Sequence, residues 1–347
     1  MTMSQIKNTD DASYEITGKD LYSKYPKILE QLLLDHTTHN NIIWGTDNYE
    51  KQGEAFHSHA QIKKELITGK YETLIMPRVK KEKELQAQRV RDMAEVFTPS
   101  WVCNQQNNLV DESWFGRKNA FNTEYIDDNG IHCWKATETK IEFSEAPSRK
   151  ATHSWQNYVR DIRLEITCGE APYLVSRYDR VSGEIITDLN QRIGLLDRKL
   201  RVVSENTEKT GDWIKWAKEA LKATYGYEWQ GDNLLLAREN LFFTILDYYK
   251  AKFGKYPRGS QEKSLNGFAY IISWNLWQMD GLKMVVPYSC EGKTIKELFG
   301  KIPEVCPACA KGEYSGHIGT KCLIRDWKQP KDKQKIEFDS LLAHMQR

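Results

Sequence analysis

No apolar run in this chain approaches the roughly 18 residues of a membrane-spanning helix, and Met1 to Tyr14 is polar, unlike a secretory leader. These absences predict a soluble, cytoplasmic protein with no membrane partner. Charge of one sign is scarce as well. A formal net charge of +2 over 347 residues excludes the broad positive field of a strongly basic nucleic-acid binder, although local patches remain open. There is no internal repeat, no low-complexity segment and no nuclease constellation. The seven cysteines are odd in number and lack secretory context, which argues for reduced thiols or metal rather than a disulfide framework.

At 40% hydrophobic and 28% charged residues, the chain can bury a sizeable core as two domains, or as one with a large N-terminal extension. Residues 1–12 read as a disordered tail, 13–92 as a mixed, mainly helical region, and 93–347 as the main domain. Apolar spacing predicts a helix over Gly18 to Asp35, a strand and turn over Asn40 to Gly45, a short helix over Ile62 to Thr68 and a strand over Tyr71 to Met76. The Lys- and Arg-rich stretch from Arg78 to Asp92 reads as a solvated helix face of alternating sign, or as a phosphate-tracking segment. Eleven Trp and seventeen Tyr suit base stacking, yet such residues more often serve the core.

Four segments follow one another: Glu95-Val-Phe-Thr-Pro99, Leu164-Glu-Ile-Thr-Cys-Gly-Glu-Ala-Pro-Tyr-Leu174, Tyr225-Gly-Tyr-Glu228 and Trp277-Gln-Met-Asp-Gly-Leu282. Arg163 to Thr167 predicts a strand, Cys168 to Pro172 a turn and Tyr173 to Tyr178 a helix. Gly169 can take positive φ and admit a ligand to the backbone. Glu228 ends a second strand after a helix over Asp212 to Thr224, where a carboxylate can accept from both hydroxyls of a ribose. Asp232 then caps a long amphipathic helix closed by Gly254. Taken singly, Thr98-Pro99 is a good helix start, Cys168-Gly169 a generic turn and Asp280-Gly281 an ordinary one. Their order is what points to a nucleotide-like cofactor on a sheet edge.

In that order, together with Phe97 to Asn104 and Gly231 to Asn240, the chain resembles the N6-adenine DNA methyltransferases of restriction and modification systems, of the restriction endonuclease subunit M type, over about residues 90–283. The resemblance implies an α/β, class I S-adenosylmethionine-dependent methyltransferase-like (Rossmann-like) sheet. By matching position it places Phe97, Thr98 and Pro99 against S-adenosylmethionine. Cys168, Gly169, Glu170 and Ala171 would cradle its methionine part, Glu228 would hold the ribose, and Asp280 would meet the adenine. It also implies DNA as substrate, with a restriction or second methyltransferase subunit as partner.

Two departures stand out. Ala171 occupies the place of the family's second glycine. The family's signature of Asn, Asp or Ser before Pro-Pro-Tyr or Pro-Pro-Phe occurs nowhere. Cys322-Leu-Ile-Arg-Asp-Trp327 reads as the fourth strand, so Asp326 and Trp327 are the candidate catalytic acceptor and stacking partner. The remaining residues hold one strand, Lys335 to Phe338, and a short helix, Ser340 to Met345, which predicts a truncated sheet. The leading reading is a DNA (adenine-N6) methyltransferase. The alternatives are a catalytically incompetent cofactor- and DNA-binding subunit that assembles with a separate catalytic chain, and a methyltransferase acting on RNA or a small molecule.

Cys306-Pro-Ala-Cys309, His317 and Cys322 form a separate constellation. The two-residue gap lets both thiolates reach one tetrahedral ion, and His317 and Cys322 would complete a structural zinc knuckle over 306–322. The bland alternative is four reduced residues on a surface loop.

Overall fold

The computed structural model describes residues 25–80, 98–143, 153–258, 261–291, 294–297, 300–303 and 305–343. The expected tail, the first part of the first helix, the charged stretch beyond Lys80 and Phe97 lie outside these residues. In chain order the helices are α1 (Pro26–Leu33), α2 (Ser100–Phe115), α3 (Trp155–Arg160), α4 (Leu195–Asn206), α5 (Thr210–Lys222), α6 (Gly231–Phe253), α7 (Glu262–Asn275), α8 (Pro307–Lys311) and α9 (Phe338–Ala343). The strands are β1 (Asn122–Ile126), β2 (His132–Ala136), β3 (Arg163–Glu165), β4 (Thr224–Glu228), β5 (Leu276–Gln278), β6 (Thr294–Glu297), β7 (Gly300–Pro303), β8 (Leu323–Arg325) and β9 (Lys335–Glu337).

The protein is mixed α/β. Its organising element is a parallel sheet in the order β3-β4-β5, with Arg163 opposite Thr224 and Gly226 opposite Leu276. Parallel neighbours require crossovers, and here α4 and α5 link β3 to β4, while α6 and α7 link β4 to β5. These helices, together with α1, enclose the largest core, built on residues such as Leu29, Leu200, Trp213, Leu241 and Phe268. The other face carries Tyr225, Tyr227, Trp277 and Met279, which pack against Cys322, Ile324, Ile336 and Phe338 of the antiparallel β8–β9 hairpin. Hairpins β1–β2 and β6–β7 make the remaining sheets.

α6 is buried on nearly every side, the polar residues Asp232, Arg238, Glu239 and Asn240 included. Its first residue must be glycine: a Cβ on Gly231 would stand 2.0 Å from the Ile43 carbonyl oxygen. The helix therefore starts one residue before Asp232, whose carboxylate instead accepts from the Tyr49 hydroxyl at 2.7 Å. Further along, fully buried Arg238 donates to the carbonyls of Leu32, Leu34, Ser273 and Leu276. One guanidinium thus satisfies carbonyls left open at the ends of both α1 and α7.

Residues 25–80 do not stand apart from the main domain. Ile28, Leu32, Trp44 and Phe56 belong to the main core. The Gln278 side chain pairs with the Ile43 backbone in both directions, at 2.9 and 2.8 Å. An edge strand is thereby joined to the N-terminal segment through a side-chain amide.

Several expectations are corrected. Tyr71 to Met76 forms turns rather than a strand. Tyr173 to Tyr178 is also irregular: the Tyr173 and Leu174 carbonyls accept from the Leu195 and Leu196 amides, both at 2.8 Å, and the Ser176 amide donates to Asp197 at 2.8 Å. β8 pairs with β9 alone and does not extend the parallel sheet. The first helix after Pro99 begins at Ser100, with Pro99 rather than Thr98 as its cap residue. Among the described residues, no helix is long and apolar enough to cross a membrane.

Candidate cofactor site and candidate metal centre

Three of the four ordered segments meet at the carboxyl ends of the parallel strands. The turn after β3 is anchored by Cys168 N–H to the Tyr227 carbonyl at 2.8 Å, and by Ala171 N–H to the Cys168 carbonyl at 2.7 Å. Its φ is positive at every second residue: 47° at Thr167, 52° at Gly169 and 62° at Ala171. A Cβ on Gly169 would meet no atom within 4 Å, so the space above this turn is open. Ala171 holds the left-handed conformation with a Cβ and is fully buried. A glycine would adopt it without that cost.

Glu228 faces this turn. Its carboxylate accepts from Gly169 N–H at 2.8 Å and from Gln230 N–H at 3.1 Å. Burial pushes its pKa up, while the Gln230 and Gly169 amides pull it down. Each carboxylate oxygen has two lone pairs, so acceptor capacity remains for a ligand hydroxyl. Beyond β5, the Asp280 carboxylate accepts from the amides of Leu282 and Lys283 at 3.0 and 3.1 Å. Its other oxygen lies 3.5 Å from Lys283 Nζ.

Glu170 points elsewhere. It accepts from the Tyr178 hydroxyl at 2.5 Å and from Arg180 Nη1 at 2.7 Å, and is buried. This ion pair ties the turn to the first helical segment, because Arg180 N–H donates to Ser100 Oγ at 3.1 Å. Thr98 and Pro99 are thereby brought near the turn that includes buried Cys168 and Ala171.

Sequence reasoning missed Glu165, the last residue of β3, which stands opposite Gly226 of β4. Its carboxyl is buried, which pushes its pKa up to about 8, against the pull of the Tyr173 amide, Arg180 and the Leu174 amide. A carboxylate before a glycine turn was visible in Leu164-Glu165, but its inward orientation follows only from the strand phase.

Asp326 and Trp327 lie at the opposite end of the sheet. The Tyr225 hydroxyl, from the start of β4, donates to the Arg325 carbonyl at 2.8 Å. Trp327 Nε1 donates to Asn275, the residue just before β5, at 2.7 Å. β4 spans about 13 Å from Thr224 to Glu228 at about 3.3 Å per residue. Asp326 is also engaged in its own turn, accepting from Lys328 N–H at 3.0 Å and from Gln329 Nε2 at 3.2 Å. The pair expected to be catalytic is therefore separated from Glu228 by the length of the sheet.

The cysteine and histidine cluster forms with a different membership. Cys290, Cys306, Cys309 and His317 bring one ligand atom each within 4.8 Å of one another. Cys322, expected as the fourth ligand, is wholly buried, and its Sγ lies 3.5 Å from the Gln278 carbonyl. Strand alternation explains the exchange, since Cys322 and Ile324 both turn into the aromatic face of the parallel sheet. Cys290 was passed over because sixteen positions separate it from Cys306. An open cleft of about 370 Å³, lined by Asp280, Lys283, Tyr288, Cys290, Cys306 and Cys309 among others, runs from the β5 loop to this cluster.

No family model, curated protein or solved structure matches the chain.

Proposed function

We propose that the chain binds S-adenosylmethionine across the carboxyl ends of β3, β4 and β5 and serves N6-adenine methylation of DNA in a restriction and modification system. On this reading the sheet is one half of a class I methyltransferase-like, Rossmann-like sheet. The observation that carries the cofactor part is the Gly169 amide held by the Glu228 carboxylate, with open space above the glycine. Ligands of open α/β sheets bind beyond the carboxyl ends of the strands. Gly169 lets the methionine part approach the backbone, Glu228 accepts from the ribose hydroxyls, and Asp280 meets the adenine. DNA and the acceptor base rest on the sequence resemblance.

In such a reaction a flipped adenine presents its N6 to the sulfonium methyl group, and catalysis is positioning without a covalent intermediate. The position of Asp326 and Trp327 favours the subunit version, in which a second chain supplies the acceptor-base pocket. The exposed side chains of Ile162, Leu164 and Ile166 support it further. They line one face of β3, and no strand among the described residues pairs with its outer edge. A bare edge with an apolar face is a template for strand addition.

Tritiated methyl transfer to mixed genomic DNA separates the versions. The subunit version predicts cofactor binding without transfer by the purified chain. Transfer by the chain alone identifies a complete enzyme, and the absence of cofactor binding removes both.

A further inference from the structure

We propose that Cys290, Cys306, Cys309 and His317 form a structural zinc site that locks the loop after β5 to the segment carrying α8. The inference stands independently of the methyltransferase reading. With Zn–S of about 2.3 Å and Zn–N of about 2.0–2.1 Å, tetrahedral geometry places sulfur and nitrogen ligands about 3.6 Å apart. His317 Nδ1 lies 3.8, 3.5 and 3.4 Å from the sulfurs of Cys290, Cys306 and Cys309. The distances suit a shared ion between the four atoms.

The histidine tautomer is fixed for this role. His317 Nε2 lies 2.9 Å from the Glu313 carbonyl, which can only accept. Nε2 therefore carries the proton, and Nδ1 turns its lone pair toward the three sulfurs. A backbone carbonyl on the second ring nitrogen is the usual outer partner of a metal-bound histidine.

The local fold delivers each ligand. Cys306 is the cap residue of α8 and Cys309 lies within that helix, which ends at left-handed Gly312. Cys290 arrives on a separate arm, after Val285 bridges both Asp280 and Lys321. That arm lies tight against Gly319, where a Cβ would stand 2.9 Å from Cys290 Sγ. Four protein ligands leave no open coordination position, so the ion is structural rather than catalytic. Binding converts three thiols to thiolates and releases their protons to solvent. The staple fixes the wall of the cleft that Asp280 and Lys283 share with the cysteines.

The test is metal content and cobalt spectroscopy on the full chain. The protein as purified is expected to hold one zinc per chain. After chelation, cobalt(II) is expected to give tetrahedral ligand-field bands and intense sulfur-to-cobalt charge transfer. Cys290→Ser should weaken cobalt binding by more than about 100-fold, beyond the roughly 10- to 100-fold cost of losing an outer-sphere partner. Cys322→Ala should leave zinc stoichiometry unchanged. Metal-free wild-type protein that gives no charge-transfer band with cobalt overturns the site. Zinc retained in Cys290→Ser and lost in Cys322→Ala overturns the ligand set. Should either variant fail to fold, the wild-type stoichiometry and spectrum still decide whether the site exists.

Discussion

Glu165→Gln is predicted to flatten part of the pH dependence of stability. Glu165 lies under the turn that holds Gly169, and burial raises its pKa from the ordinary 4.5 to about 8. Below the unfolded value both states are protonated, and the carboxyl imposes no penalty. Between the two values the unfolded chain ionises while the fold keeps its proton, so stability falls by about 1.4 kcal/mol per pH unit. Above the folded value the loss levels off. An interval of about 3.5 pH units sets a ceiling of about 5 kcal/mol for the total. Gln keeps the shape and an acceptor for the Leu174 amide but has no proton to lose. Urea titrations of both proteins at steps from pH 5 to pH 9 should show similar stability at the acid end. Glu165→Gln should pull ahead by several kcal/mol at the alkaline end, about two-thirds of that gain appearing by pH 7. Parallel profiles, or a wild type that gains on the variant as pH rises, would refute the buried-acid assignment. Glu228 lies close enough to raise Glu165 further, so the difference between the two proteins, rather than either profile alone, isolates Glu165.

Two further substitutions probe the frame around the turn. Asp111→Ala leaves Arg198, about 1% exposed, without its 2.6 Å carboxylate partner. It should cost about 3–5 kcal/mol by denaturant titration, and Asp111→Ala with Arg198→Met should recover much of the loss. A loss below about 1 kcal/mol would show that Asn104 and Asn108 suffice to hold the guanidinium. Ala171→Gly relieves about 1–2 kcal/mol of left-handed strain against about 0.8 kcal/mol of lost methyl burial. It should therefore be neutral or slightly stabilising, and a fall in melting temperature of several degrees would deny that Ala171 is strained.

The sequence announces elements that depend on neighbours along the chain. Gly254 closes α6 where the apolar pattern ends, at φ 70°. Strand endings at Glu228 and just before Asp280 follow from short β-prone runs after helices. The β1–β2 hairpin around the Asp127-Asp-Asn-Gly130 turn went unread, because its strands have little apolar alternation. What chain-local patterns cannot convey is which long-range partner claims a side chain. Glu170 follows Gly169 directly in the chain, yet its carboxylate is captured by Arg180 and Tyr178. Cys322 has the spacing of a ligand and the strand phase of a core residue. Asp326 and Trp327 follow a real strand that runs along the wrong face and reaches the wrong end of the sheet. Spacing proposes such residues, and only the strand order decides among them.

Calorimetric titration of the purified chain with S-adenosylmethionine, beside Glu228→Ala and Glu228→Gln, tests the central claim most directly. The account predicts saturable binding to the wild type at one site per chain. Removing the charged acceptor should cost roughly 1.5–3 kcal/mol, about 10- to 150-fold in affinity, with Gln falling between. Melting curves of the three proteins separate that loss from the loosening of the Gly169 and Gln230 amides. No binding by a folded wild type, or equal affinity in all three, would contradict a cofactor site at the end of β4.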